Sequence, residues 1–267
     1  MFKEISAFIG LEEWLVSKMG RSLKSGFFEF PGEAYPESLL AYRIGKMSML
    51  RTTERLSDEV RNITNSLSED ELFSIFGSYE LSRVTLPHGV SVFGPNFYYF
   101  GDARTFKPCK KEIAVLLSKE EVVRMGDSEI FWHCDWERSS ANFGIIENNK
   151  LVALTTVWPL GGPVYEIGVD VAPKLGLCGL GRIVMSAACR WVLDREGLIF
   201  ARSAQWNIPS VRLLRSMGLR YTLSDLTGNR GPFRVPPQPL GKPLPGDGEI
   251  LDLYPVWAQN RDIIRVG

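Results

Sequence analysis

The sequence predicts an α/β fold, and three observations predict it. From about residue 110 the hydrophobic pattern switches repeatedly between period 2 and period 3.6, the signatures of strand and helix. Two Ser-x-x-Glu boxes, at Ser68 and Ser118, mark helix starts. A glycine-bearing loop joins a strand-like run ending at Val171 to an amphipathic helix beginning at Leu180.

Composition narrows the class. The 267 residues suggest one large domain or two small ones, at roughly 100–200 residues each. With 45% hydrophobic and 23% charged residues the chain can bury a core and is not read as disordered. Lys plus Arg and Asp plus Glu are 31 each, so the balanced charge removes the usual argument for a nucleic-acid partner. Charged residues interrupt the apolar run at the start, so no signal peptide is read. The uncharged stretch 151–165 is too short, and too broken by Pro159, Gly161, Gly162 and Pro163, to span a bilayer. Four cysteines without a C-x-x-C pair suit reduced thiols, and a cytoplasmic protein without a membrane anchor or a metal is expected.

In chain order, Leu56, Val60, Ile63 and Leu67 recur at helical spacing, which predicts a helix over about 48–66. The Ser68 box opens a short helix expected to stop near Gly77. Pro87, Gly89, Gly94 and Pro95 then punctuate short strands at 91–93 and 97–100. A strand is expected at 113–117, and the Ser118 box opens a helix ending at Gly126. Runs at 142–147 and 151–158, joined through Asn148 and Asn149, read as a hairpin. Tyr165, Ile167, Val169 and Val171 alternate with polar or small residues as a strand. Leu180, Val184, Ala187 and Trp191 form a helix that Gly197 stops. A strand at 198–204 and a helix at 209–217 follow, with Asn207 as N-cap and Gly218 past the end. A strand is expected at 219–224 and another at 249–254. The Pro- and Gly-rich tail from Gly228 to Gly248 is expected to form neither helix nor central strand. Three regions result: 1–110, with weak motifs; 111–227, with strong ones; and 228–267.

The most informative segment is Gly176-Leu-Cys-Gly179-Leu-Gly181-Arg182, between strand and helix. The first N–H groups of a helix lack intrahelical acceptors, and the helix dipole adds positive potential there. Glycines let a ligand approach that backbone, so the segment is either a phosphate site or a tight turn without ligand. It is not a dinucleotide fingerprint, since Val184 stands where the third glycine belongs, and not a P-loop, since Arg182-Ile183 follows Gly181.

The pattern G-x-x-G-x-G after a strand resembles motif A of the GNAT superfamily of acetyl-CoA-dependent N-acetyltransferases. A second stretch, Asn207-Ile-Pro-Ser210 through Leu213 to Gly218, is similar to that family's Asn-x-x-Ser…Leu…Gly motif. The resemblance covers about 112–226. It implies a mixed, mostly antiparallel central sheet flanked by helices, with 1–110 as an additional α/β region that either recognises substrate or is a degenerate copy of the fold. It also implies acetyl-CoA as co-substrate, a small-molecule or peptide amine as acceptor, and an open oligomeric state with a homodimer among the options. The backbone of Val169, Asp170 and Val171 would pair with the pantetheine arm. The backbone of Gly176, Leu177, Cys178, Gly179, Leu180, Gly181 and Arg182 would hold the pyrophosphate, and Asn207 and Ser210 would meet the arm. Gly168 invites a bulge that would part this strand from the next. Lys174, Arg182, Arg212 and Arg215 stand where cofactor phosphates could meet a positive side chain, with a solvated helix face as the other reading of the last two.

Two positions depart from the pattern. Gly176 replaces the usual Arg or Gln, and Leu214 replaces the Tyr that serves as acid in many members. Either Tyr221 or Ser216, both nearby in sequence, stands in as the acid, or the thiolate leaves by taking a proton from water. Glu166 lies where many members carry an acidic catalytic residue and is the first choice as base for an ammonium. Asp170 shares its strand face. His133, within Trp132-His-Cys-Asp-Trp136, reads as a base beside an aromatic wall or as a packed turn. The resulting expectation is an N-acyltransferase working by direct attack in a ternary complex; the alternative is a CoA-binding sensor or scaffold without turnover.

Overall fold

A computed structural model of the chain describes residues 3–20, 23–30, 37–173 and 179–233. In chain order the elements are α1 (Lys3–Ser6), α2 (Leu11–Met19), β1 (Gly26–Phe30), β2 (Leu39–Ile44), β3 (Met47–Thr53), α3 (Ser57–Ser66), α4 (Glu69–Leu72), α5 (Ile75–Thr85) and β4 (Val90–Gly101). There follow β5 (Val115–Leu117), α6 (Lys119–Met125), β6 (Ala141–Glu147), β7 (Lys150–Pro159), β8 (Val164–Val171), α7 (Leu180–Leu193), β9 (Leu198–Ala204), α8 (Ile208–Ser216) and β10 (Arg220–Arg230). The strands make one sheet in the order β1-β3-β2-β10-β4-β9-β8-β7-β6-β5. It is antiparallel except at β1–β3 and β8–β9. The mixed, mostly antiparallel sheet flanked by helices is the architecture the sequence implied.

Helices cover both faces. On one, Leu11, Trp14 and Leu15 of α2 pack against Tyr98, Phe100, Val164 and Phe200. Phe100 and Phe200 stack with centroids 4.9 Å apart and Trp14 sits on both. Each aromatic so buried contributes about 1.5–3 kcal/mol. On the other face, α7 lays Met185, Ala188 and Val192 on Val157, Ile167, Ile199 and Ala201. Further along the same face Leu56, Val60 and Leu81 cover Leu39, Ala41, Leu50 and Val92. Because the central strands are covered twice, β7 is buried at seven successive positions from Leu151 to Val157 and reads as an apolar run.

Local chemistry accounts for the element ends. Ser118 Oγ accepts from the Glu121 amide (3.1 Å), and the Ser118 amide donates to Glu121 Oε2 (2.8 Å). The Ser68–Glu71 box has the same reciprocal geometry. Asn148 and Asn149, at φ 51° and 61°, supply the left-handed turn between β6 and β7.

Several expectations are corrected. Residues 48–53 belong to β3, not to a helix; Gly45, at φ 57°, turns β2 back onto it, and the helical spacing belongs to α3 alone. Gly77 does not end a helix. Ser74 caps a new one, and Gly77 lies inside α5, where a Cβ would fall 2.2 Å from the Leu72 carbonyl oxygen. Gly94 and Pro95 do not divide two strands: they face Leu226 alone in a bulge of the single strand β4, which accommodates the missing proline N–H. Gly197 does not supply the left-handed residue after α7, since Glu196 does at φ 55°. Gly228, Asn229 and Arg230 are part of β10, which is central, contrary to the expectation for the start of the tail; residues 234–267 lie outside the described residues. The strand expected at 249–254 lies outside the described residues. The sheet runs without a break across residue 110, because β4 lies between β9 and β10.

Candidate functional site

The site begins where two neighbouring strands part. β8 and β9 pair only at Val164↔Leu198, Tyr165↔Ile199 and Glu166↔Phe200; beyond that a gap opens between their C-terminal halves. No bulge at Gly168 causes it, contrary to expectation, for β7 and β8 stay in unbroken register from Tyr165 to Val171. The Ala172 amide donates to the Val152 carbonyl of β7. Alternation along a strand therefore turns the N–H groups of Val171 and Val169 toward the gap.

The start of α7 closes one side of this gap. Gly179 is left-handed (φ 77°) and no side chain caps the helix. A Cβ on Gly181 would meet Val171 at 3.4 Å and Leu213 at 3.6 Å, so the helix start lies against β8 and α8. Leu180 is buried with Ile145 and Val152, leaving only its backbone to a ligand, and Arg182 is exposed. Gly176, Leu177, Cys178 and Lys174 lie outside the described residues. Asn207 Oδ1 accepts from the Ser210 amide (3.3 Å), so these two residues meet as the cap of α8. Leu214 is fully inside the core.

On the sheet's other face, strand register gathers a polar cluster. Tyr42 pairs with Asp225, Asp225 with Asn96, Tyr98 with Arg202, and Phe200 with Glu166. Asp225 is 0% exposed; Asn96 Nδ2 donates to its Oδ1 and the Tyr98 hydroxyl to its Oδ2, each at 2.8 Å. Arg202 Nη1 stands 3.6 Å from Oδ2, with its side chain 42% exposed. Burial pushes the Asp225 carboxyl up, against the pull of Arg202, Asn96 and Tyr98. Burial likewise raises Glu166, opposed by the charge of Arg202 and a hydrogen bond from Trp158. A half-buried carboxylate raised in this way is poised to take a proton.

The 131–136 loop lies on the same strand face, beyond Glu166. The His133 amide donates to Asp170 Oδ2 (2.8 Å), and His133 Nδ1 lies 2.6 Å from Asp170 Oδ1. A Cβ on Gly168 would fall 2.2 Å from the His133 carbonyl oxygen, so glycine lets the loop touch the strand. Trp132, 70% exposed, stacks on the His133 ring at 3.5 Å. The Cys134 thiol is buried, pushed up by that burial, and donates to the Leu154 carbonyl (3.4 Å). Asp170 thus holds His133 through both its backbone amide and its ring Nδ1.

Asp170 and His133 are brought together, and Glu166 shares their face of β8 four positions away. Tyr221 is not among them: it stands on the opposite face, edge-on to Phe97 and near Tyr99. Ser216 donates to the Leu213 carbonyl of its own helix. Arg202, Asp225, Asn96 and Tyr98 were missed, since nothing local in sequence marks them. The nearest signal is a carboxylate following the apolar Leu223 in a strand. Among the described residues no group of His, Cys, Asp and Glu could hold a metal, and no helix is long and apolar enough to cross a membrane.

Residues 111–219 match the model of the Acetyltransferase (GNAT) family. No curated protein matches the chain. Similar solved structures include a GNAT-family protein from Novosphingobium aromaticivorans, with 17% identity over 54% of this chain and 69% of that one, at a TM-score of 0.46. A GCN5-related N-acetyltransferase from Kribbella flavida has 16% identity over 56% and 63%, at 0.40. An acetyltransferase of the GNAT family from Colwellia psychrerythraea has 10% identity over 54% and 59%, at 0.39. The chain thus spans about three fifths to two thirds of the length of these proteins.

Proposed function

We propose, from the match of residues 111–219 to the GNAT family model and the geometry of the gap, that the chain is an acetyl-CoA-dependent N-acyltransferase acting on an amine. The observation that carries the reading is the parting of β8 from β9 with the uncapped start of α7 on one side and Glu166 on the other. The fit to the cofactor rests on three features: a gap inside a sheet, inward N–H groups on Val169 and Val171, and the glycine backbone at Gly179 and Gly181. The Val171 N–H, beside that helix start, would pair with an amide of the pantetheine arm, and the helix start would hold the pyrophosphate. Acetyl-CoA supplies the acyl group as a thioester.

Glu166 removes the proton from the acceptor ammonium, which must be neutral to act as a nucleophile. Arg202 and Trp158 orient that carboxylate. The Val169 N–H, the one nearer Glu166, donates to the developing oxyanion. His133, held by Asp170, forms the rim on the acceptor side, and Trp132 gives a face for an apolar or cationic acceptor.

Titration calorimetry with CoA, followed by thiol release across an amine panel, tests the reading; absence of CoA binding overturns it. The buried Leu214, standing where many members carry an acid, favours a second reading, a CoA-binding module without turnover. Binding without thiol release for any amine would select it.

A further inference from the structure

Opposite the Glu166 face, beside the end of α8, lies an open cavity of about 840 Å³. Its size falls in the range of small-molecule sites. Four cations line it, Arg104, Lys107, Arg215 and Arg220, and no acidic residue does. Arg104 is engaged by Asp102 (Nε to Oδ2, 2.8 Å). Lys107, Arg215 and Arg220 are exposed and have no carboxylate at ion-pair distance among the described residues. The remaining wall is aromatic. Tyr221, half exposed, stands edge-on to Phe97 at 5.2 Å, with Tyr99 behind.

The frame beneath these side chains is fixed by backbone contacts. The Lys107 amide donates to the Met217 carbonyl (2.8 Å), tying the 102–107 segment to the end of α8. The Arg104 and Thr105 amides both donate to Asp102 Oδ1. Gly218 is left-handed (φ 83°), and a Cβ there would fall 2.0 Å from the Thr105 carbonyl oxygen. Leu214 and Met217, at the same end of α8, are buried in the core that α7 and α8 share with the sheet.

Three unpaired cations beside an exposed ring match a ligand with concentrated negative charge and a flat π-face. We propose that the cavity binds a nucleoside di- or triphosphate, with its base on Tyr221 and its phosphates on Lys107, Arg215 and Arg220. The chain's balanced charge argues for a small nucleotide over a nucleic acid. The site is independent of the acyl-transfer reading, because it uses other residues, gathered at the opposite end of α8 from its Asn207 cap.

The test is titration calorimetry of the full chain with ADP, with inorganic pyrophosphate and adenosine as separate probes, repeated with CoA at saturating concentration. ADP should bind one-to-one, more tightly than either fragment, with unchanged affinity in the presence of CoA. Tyr221→Ala, and separately the double variant Lys107→Glu with Arg220→Glu, should each weaken ADP by about tenfold or more. Those positions are exposed, so the unfolding temperature should stay near that of the native chain. ADP affinity of the native chain should also fall as salt is raised, a readout that needs no variant. Absence of ADP binding, pyrophosphate binding as tight as ADP, or displacement of ADP by CoA would each overturn the proposal.

Discussion

Glu166 shows what a single position can and cannot reveal. Its place on the strand and its face were legible from alternation with Tyr165 and Ile167. Its environment was not, because Arg202, Trp158 and Asp225 reach it across strands whose register no local pattern states. The same holds for His133 and Asp170, 37 positions apart and joined at 2.6 Å. Since burial raises the Glu166 carboxyl, turnover should rise with pH through a midpoint above the ordinary Glu value of about 4.3. Glu166→Gln should remove that dependence and lower kcat by about 10²–10⁴-fold while leaving CoA affinity intact, which a kcat–pH series beside calorimetry checks. Asp225 gives a second prediction, with the sign set by its raised carboxyl. Below the ordinary carboxylate range the group is protonated in both folded and unfolded chains. As pH rises toward the folded value, only the unfolded chain releases its proton, so stability is lost across that window. Asp225→Asn should flatten the slope of unfolding free energy against pH there, as denaturant titrations at stepped pH would show.

At the level of elements, helix starts were the most legible features, because Ser68, Ser118 and Asn207 each satisfy amides a few residues away. The strands of the first hundred residues were the least. Residues 48–53 carry Met49 and Leu50 side by side, and their partners β1 and β2 are not sequence neighbours of the helix they were joined to. Glycine was misread where its use is close approach rather than a turn, as at Gly77 and Gly168. Gly168→Ala would drive a methyl into the His133 carbonyl, so a loss of about 1–3 kcal/mol in thermal unfolding is expected, with the 131–136 loop displaced. Gly181 differs, for its added carbon meets only ordinary contacts. Gly181→Leu should therefore fold yet bind CoA poorly, a split that calorimetry and a melting curve together resolve.

For the whole molecule, the GNAT-like half was legible because its motifs fall in order within one run of elements. The contribution of the first hundred residues was not. β4 occupies the position between β9 and β10, and β2 and β3 extend the sheet beyond β10. A fragment of residues 111–233 would expose the inner edges of β9 and β10 and lose Phe100 from against Phe200. It should be insoluble or lack a cooperative melt, whereas the full chain should unfold in one transition by circular dichroism. The same placement sets an order of events as the protein is made. β2 must wait for β10, whose partner residues lie roughly 180 positions later, and β4 must wait for strands about 100 and 130 positions on. The apolar faces of Leu40, Tyr98 and Phe100 therefore stay unfinished until most of the chain has left the ribosome. Synthesis too fast for shielding, or a stall before residue 220, would present those faces to other nascent chains, which makes chaperone demand during translation a property written into the strand order.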